Sequence, residues 1–270
     1  MNSCIAHRGW SSRAPENTIA AFILALNESK ISAIELDVHL SKDGVPVVIH
    51  DHTLERTTNG KGPVSTQSAL DLVQLDAGIS FGPQFVGQKI PLLEEVMALA
   101  KGKKRLLIEL KQMGELYVGL EEKVAELINK YNMYHQVVVI SFDHESVRKV
   151  KEYDPKVEIG LVFTGRLTML AEQVDYTGAS YLSIQHRFIT KELVELFQDK
   201  CVQLVAWTID DVGSLNRMKG ISGNIHITTN RPEIMIEDVK KAKSEFIGLE
   251  HRPVVSTEKT NELRVFKNKK

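Results

Sequence analysis

Short apolar runs alternate with helix-length amphipathic segments along nearly the whole chain, and this alternation limits the possible folds most. The runs cover residues 3–6, 33–38, 105–110, 137–140, 157–163, 181–184, 202–209 and 225–228. Between them lie segments with helical periodicity. Ile19, Phe22, Ile23 and Leu26 recur at i, i+3, i+4 and i+7 after Asn17, a residue suited to cap a helix. Leu116, Leu120, Val124, Leu127, Ile128 and Tyr131 mark a longer helix face. Helices are expected over 92–100, 145–153, 167–174, 191–199 and 211–219, and Pro232 suits the first turn of a last one. Strands joined by helices must run parallel, and buried parallel strands are rich in β-branched residues. Eight such units point to an α/β fold, a closed (β/α)8 TIM barrel, rather than an open doubly wound sheet. The 270 residues suit one barrel of about 250, and 43 % apolar residues are enough for one sizeable core.

The alternation breaks once. After the second strand, the turn Ser41-Lys42-Asp43-Gly44 and the apolar run 45–49 lead into residues 51–91, which carry Gly60, Gly62, Pro63, Gly78, Gly82, Pro83 and Gly87. Long irregular stretches in compact domains are often functional. This one reads as a small insertion covering one mouth of the barrel. The barrel is expected to span residues 1–242, and the polar, aperiodic stretch 243–270 reads as a C-terminal tail. No GxGxxG or P-loop pattern follows any strand, which argues against nucleotide cofactors. A net charge of −1 provides no field for nucleic acid or an anionic membrane. The N-terminal residues lack the pattern of a signal peptide, and no apolar run approaches the roughly 18 residues of a membrane span. Cys4 and Cys201 both sit in apolar strand-like runs and are read as buried free thiols, which suits a cytoplasmic location. Oligomeric state is not legible.

Active groups of such barrels sit at the C-terminal strand ends. The first strand ends in His7 and Arg8, the second carries Glu35 and Asp37, and the third carries Glu109 and Lys111. Positions i and i+2 of a strand share a face, so Glu35 and Asp37 project side by side, as do Glu109 and Lys111. Adjacent buried carboxylates repel, and a divalent cation with oxygen ligands would relieve them. Glu35, Asp37 and Glu109 are hard ligands suited to one Mg²⁺ or Ca²⁺. Arg8 and Lys111 suit the non-bridging oxygens of a phosphate. His7 and His50 have the intrinsic pKa of an acid–base pair. Together these groups describe metal-assisted cleavage of a phosphodiester.

These residues resemble the glycerophosphodiester phosphodiesterase family. The resemblance lies in His7-Arg8-Gly9, Pro15-Glu16-Asn17-Thr18, Glu35-Leu36-Asp37-Val38, Ser41-Lys42-Asp43-Gly44, His50-Asp51, Leu54-Glu55-Arg56-Thr57-Thr58 and Gly60. It continues through Glu109-Leu110-Lys111, Ser141-Phe142 and Trp207-Thr208. It spans about residues 3–240 and is densest before residue 62. It implies a TIM barrel, metal binding by Glu35, Asp37 and Glu109, and acid–base roles for His7 and His50. It also implies phosphate binding by Arg8 and Lys111 and a pocket lined by Phe142 and Trp207. In many such enzymes a glycerol hydroxyl attacks phosphorus internally, an alcohol leaves, and water opens the cyclic phosphate to glycerol 3-phosphate. One departure is visible. Where the family commonly reads Thr-Asp-x-Pro near the last strand, this chain has Thr229-Asn230-Arg231-Pro232.

Plainer roles stand beside these. Arg8 and Lys111 could serve only as ion-pair partners, Arg8 for a carboxylate such as Glu109. Phe142 and Trp207 could be core residues. Asp51 could orient His50. His39, His52, His135, His144, His186, His226 and His251 are read as structural. The expected partner is a small glycerophosphodiester. The alternatives are a lysophospholipase D-type activity on single-chain lipids, or an inactive barrel that binds a phosphorylated ligand.

Overall fold

The computed structural model describes residues 2–222 and 224–237. The expected tail over 243–270, and the barrel's expected end at 242, lie outside the described residues. Residues up to Met235 form one compact unit.

Among the described residues, nine strands form one sheet: β1 (Cys4–His7), β2 (Ile31–Leu40), β3 (Pro46–Val48), β4 (Arg105–Leu110), β5 (Val137–Ser141), β6 (Glu158–Phe163), β7 (Tyr181–Gln185), β8 (Gln203–Trp207) and β9 (His226–Thr229). Eight of them run parallel, and the pairing of β1 with both β2 and β9 closes the barrel. The helices are α1 (Ile19–Asn27), α2 (Ala69–Leu72), α3 (Leu93–Ala100), α4 (Leu120–Tyr131), α5 (His144–Tyr153), α6 (Leu170–Thr177), α7 (Lys191–Gln198) and α8 (Val212–Ile221). Residues 232–237 are also helical. The fold is the expected (β/α)8 barrel.

Within each strand, alternate residues face the barrel axis. Ile5, Ala33, Leu107, Val138, Ile140, Val162, Tyr181 and Val205 meet there in one buried cluster. Followed toward the C-terminal ends, the same files change character. Ile5 is succeeded by His7, Ala33 by Glu35 and Asp37, and Leu107 by Glu109 and Lys111. Ile140 is succeeded by Phe142, and Val205 by Trp207. One alternation thus builds an apolar floor and a polar mouth above it.

Strand β2 is four residues longer than β4, and its end folds back through the turn at Ser41 into β3. Gly44 takes φ +78° there, which a side chain rarely tolerates. β3 runs antiparallel to β2 with Val38 opposite Val48. The Ile49 amide donates to the Asp37 carbonyl at 3.1 Å, so the chain returns to the level of Asp37 just before His50. Residues 51–91 then hold a helical turn at 64–66, the short α2 and another helical turn at 83–85. Leu54, Val64, Leu72, Ala77 and Ile90 give this segment a small core of its own against Val47 and Ile49.

Three local expectations shift. The cap of α1 is Thr18, whose hydroxyl accepts from the Ala21 amide, rather than Asn17. α4 starts at Leu120, because Gly119 at φ +87° breaks the pattern that includes Leu116. Cys201 is exposed, in the turn before β8 at φ +55°, whereas Cys4 is buried; both thiols are free. The apolar neighbours Val202 and Leu204 mask that turn in the sequence.

Candidate active site

Eight of the nine candidate residues line one cavity of about 90 Å³ at the C-terminal ends of the strands: His7, Arg8, Glu35, His50, Glu109, Lys111, Phe142 and Trp207. Asp37, the ninth, is fully buried beside them. Register explains the convergence. His7 pairs with Glu35 across β1 and β2, and Asp37 pairs with Glu109 across β2 and β4, so these groups stand at adjacent levels of one wall.

Glu35, Asp37 and Glu109 are all buried, and one oxygen from each lies within 4.8 Å of the others. Burial pushes Glu35 well above the usual carboxylate range, and the charges of Asp37 and Glu109 push it further. Glu109 is raised chiefly by burial as well. Asp37 is buried too, yet Lys111 and Arg8 hold it below the usual range. Lys111 Nζ lies 2.9 Å from Asp37 Oδ1 and donates to Glu109 Oε1. Arg8 Nε stands 3.2 Å from Asp37 Oδ2, and its Nη1 donates to Glu16 Oε1 at 3.0 Å. Two cations therefore face three carboxylates. Glu35 Oε1 is buried and has no hydrogen-bond partner among the described residues. An orphaned carboxyl oxygen among three convergent hard ligands fits a metal cation.

The loop after β1 is strained to make these contacts. Arg8 and Asn17 both adopt φ +56°, a left-handed conformation that costs on the order of 1 kcal/mol each. It turns the Arg8 amide onto Glu35 Oε2 at 3.0 Å, while the Asn17 amide donates to the Arg8 carbonyl at 3.0 Å. Gly9 follows at φ +78°, where an added Cβ would lie 2.7 Å from the Ala21 carbonyl carbon. The first turn of α1 packs too closely for any side chain there. Asn17 Nδ2 donates to Asp37 Oδ2 at 2.8 Å, so this residue fixes a carboxylate rather than a helix end.

The two histidines have different partners. His7 Nδ1 lies 2.7 Å from Asn230 Oδ1, and its Nε2 stands 3.8 Å from Glu35 Oε2. Burial, then the charge of Arg8, lowers the His7 pKa to about 4. His50 Nδ1 donates to Asp51 Oδ1 at 2.6 Å, and burial, with Lys111 and Arg8, depresses its pKa. Arg56 clamps Asp51 in turn, with Nε at 2.6 Å from Oδ2 and Nη2 at 2.9 Å from Oδ1. Phe142 and Trp207 meet edge to face with centroids 5.6 Å apart, and Trp207 also packs against the apolar floor. The spacing of the sequence did not single out Asn17, Glu16, Arg56, Asp210 or Asn230 as site residues.

A parallel eight-stranded barrel with a buried acidic cluster, two cations and two histidines at its C-terminal mouth defines an enzyme of the (β/α)8 class that handles an anionic substrate. The particular family follows from comparison with known proteins. Residues 7–234 match the model of the glycerophosphoryl diester phosphodiesterase family, and the chain belongs to that family. It is 43 % identical over 240 residues to the glycerophosphodiester phosphodiesterase of Caldanaerobacter subterraneus subsp. tengcongensis, covering 88 % of this chain and 97 % of that protein. It is 31 % identical to a Bacillus subtilis glycerophosphodiester phosphodiesterase over 88 % of this chain and 86 % of the relative. The crystal structure of the Agrobacterium tumefaciens glycerophosphodiester phosphodiesterase superposes with a TM-score of 0.74 at 30 % identity, over 86 % of this chain and 97 % of the other. An Oleispira antarctica phosphodiesterase in complex with the product sn-glycerol-3-phosphate superposes with a TM-score of 0.79 at 27 % identity, over 89 % and 97 % of the two chains.

Proposed function

We propose that this chain hydrolyses small glycerophosphodiesters, such as glycerophosphocholine or glycerophosphoethanolamine, to glycerol 3-phosphate and an alcohol. The observation that carries this reading is the convergence of His7, Arg8, Glu35, His50, Glu109 and Lys111 on one cavity, with Asp37 beneath. Glu35, Asp37 and Glu109 would hold one divalent cation, Mg²⁺ or Ca²⁺. Such an ion, when bound, polarises a phosphoryl oxygen and stabilises negative charge on it.

The remaining roles belong to the protein's own groups. Arg8 and Lys111 offer N–H donors to the non-bridging phosphate oxygens. One histidine takes the proton from the attacking hydroxyl, and the other returns a proton to the departing alkoxide. Each imidazole has its Nδ1 engaged, by Asn230 and by Asp51, which leaves Nε2 for the substrate. Trp207 has a buried Nε1–H with no partner among the described residues, a donor left for bound substrate. Phe142, half exposed, offers an apolar edge to the head group. Free thiols at Cys4 and Cys201 support a cytoplasmic setting. Among the described residues, no helix is long and apolar enough to cross a membrane.

A second reading is favoured by one observation. The loop after β4 exposes Met113, Leu116 and Val118, and its Gly114 amide donates at 2.8 Å to Asp143, next to Phe142. An apolar rim of this kind suits the acyl chain of a lysolipid. Assays of glycerol 3-phosphate release from glycerophosphocholine, and of choline release from lysophosphatidylcholine, separate the two. The first reading predicts that the water-soluble diester is turned over and that His50→Ala loses more than about a hundredfold in kcat. Preference for the lysolipid would overturn it in favour of the second.

A further inference from the structure

His7 is held by a chain of groups that begins outside the cavity. Asp210 lies in the loop after β8, and Asn230 follows the last residue of β9. Asp210 Oδ1 accepts from the Asn230 amide at 2.8 Å and from the Thr229 hydroxyl at 3.0 Å. Its other oxygen accepts from Asn230 Nδ2 at 2.7 Å. An ionised carboxylate can only accept, so it fixes which end of the Asn230 amide it meets. The NH₂ end must face Asp210, and the carbonyl end must face His7 Nδ1, 2.7 Å away. Ser11 Oγ donates to the His7 carbonyl at 2.8 Å and lies 2.9 Å from Asn230 Oδ1. An amide oxygen at Nδ1 requires Nδ1 to carry a hydrogen. The neutral ring then has its lone pair on Nε2, the nitrogen directed toward Glu35.

We propose that Asp210 is a positioning residue which, through the amide of Asn230, locks His7 in the Nδ1–H tautomer and so presents the Nε2 lone pair of this ring to the substrate. The catalytic half of this statement rests on the proposed function; the tautomer itself does not. It gives the departure at position 230 a physical role. A carboxylate at 230 beside Asp210 would set two negative charges against each other, whereas an amide transmits the orientation without the repulsion.

Exchange of the two groups provides the test. In Asp210→Asn, the new amide keeps its oxygen on the Asn230 and Thr229 donors, which places NH₂ against NH₂. Asn230 must then rotate, present Nδ2 to His7, and force the Nε2–H tautomer. In the double variant Asp210→Asn with Asn230→Asp, the amide donates to the new carboxylate, and the other carboxylate oxygen again accepts from Nδ1–H. Ring-nitrogen shifts of ¹⁵N-histidine-labelled protein, with His7 assigned by its loss in His7→Gln, read the tautomer directly. We expect Nδ1–H in the wild type, Nε2–H in Asp210→Asn and Nδ1–H restored in the double variant. With glycerophosphocholine as substrate, kcat should fall at least tenfold in Asp210→Asn with KM little changed, and recover in the double variant. An unchanged tautomer in Asp210→Asn, or a changed tautomer with unchanged kcat, overturns the proposal. A wild type that turns over no diester defeats the proposed function instead, and the nitrogen shifts still decide the Asp210–Asn230–His7 arrangement.

Discussion

Arg56 and Glu16, forty residues apart, face each other fork to fork, with Nη1 at 2.9 Å from Oε2 and Nη2 at 2.8 Å from Oε1. The same guanidinium grips Asp51, which holds His50 Nδ1. One side chain from the 51–91 segment therefore ties the loop before α1 to the orienting partner of a proposed acid–base residue. Lysine carries the charge of arginine but lacks its planar fork. Arg56→Lys should lower kcat about tenfold through loss of His50 orientation, a usual scale for an outer partner. The unfolding temperature should change little, because Arg56 is half exposed. Steady-state kinetics beside a thermal melt check this; wild-type kcat in the variant would contradict it.

Lys111 sits between Asp37 and Glu109, with all three nearly buried. Removing one member of a buried ionic group leaves the others uncompensated, at a cost of about 3–5 kcal/mol. Lys111→Met should lose stability on that scale in urea titrations with chelator present. Added Mg²⁺ or Ca²⁺ should return part of it, because a cation would again face the carboxylates. A loss below about 1 kcal/mol would contradict this account of the cluster's electrostatics.

His39 provides a pH dependence with a definite sign. It is fully buried; its Nε2–H donates to the His50 carbonyl at 2.9 Å, and its Nδ1 accepts from the Tyr117 hydroxyl at 2.7 Å. Burial lowers its pKa from 6.5 to about 4. Between those values the unfolded chain binds a proton that the folded chain does not, so stability falls as pH falls from 6.5 toward 4. The contribution is roughly 3 kcal/mol at most. His7, also lowered to about 4, acts in the same direction. Unfolding free energies measured across this window should show a shallower slope in His39→Gln than in the wild type. Equal slopes would contradict it.

The cysteines should differ in reactivity. Cys4 is buried, and burial pushes its thiol up to about 12, whereas Cys201 is exposed. Thiolates are the reactive species. A chromogenic disulfide reagent at pH 8 should titrate one thiol in the native protein and two after unfolding. Cys201→Ser should abolish the native reaction. Two fast native thiols would contradict the burial of Cys4.

The strands and their inward files were legible because they depend on local alternation. Glu35 with Asp37, and Glu109 with Lys111, follow from period two once the segments are strands. Contacts across the sequence were not legible in this way. Asn17 reads as a cap because asparagine caps helices by a local bond, yet its partner is Asp37, 20 residues on. Arg8 reads as a possible partner of Glu109, but it pairs with Glu16 and Asp37. Asn230 stands out only as a departure from a pattern, and its meaning required Asp210 and His7, 20 and 223 residues away. Such pairings are set by barrel closure, which no periodicity records.

The central claim, a phosphodiester site that works through a cation held by Glu35, Asp37 and Glu109, is tested most directly by one assay. Glycerol 3-phosphate release from glycerophosphocholine is measured on the purified enzyme, then after EDTA, then after Mg²⁺ or Ca²⁺ is returned. The account predicts that release stops with the chelator and resumes with at least one of the two ions. Undiminished release in EDTA, or no release with either ion, would contradict it.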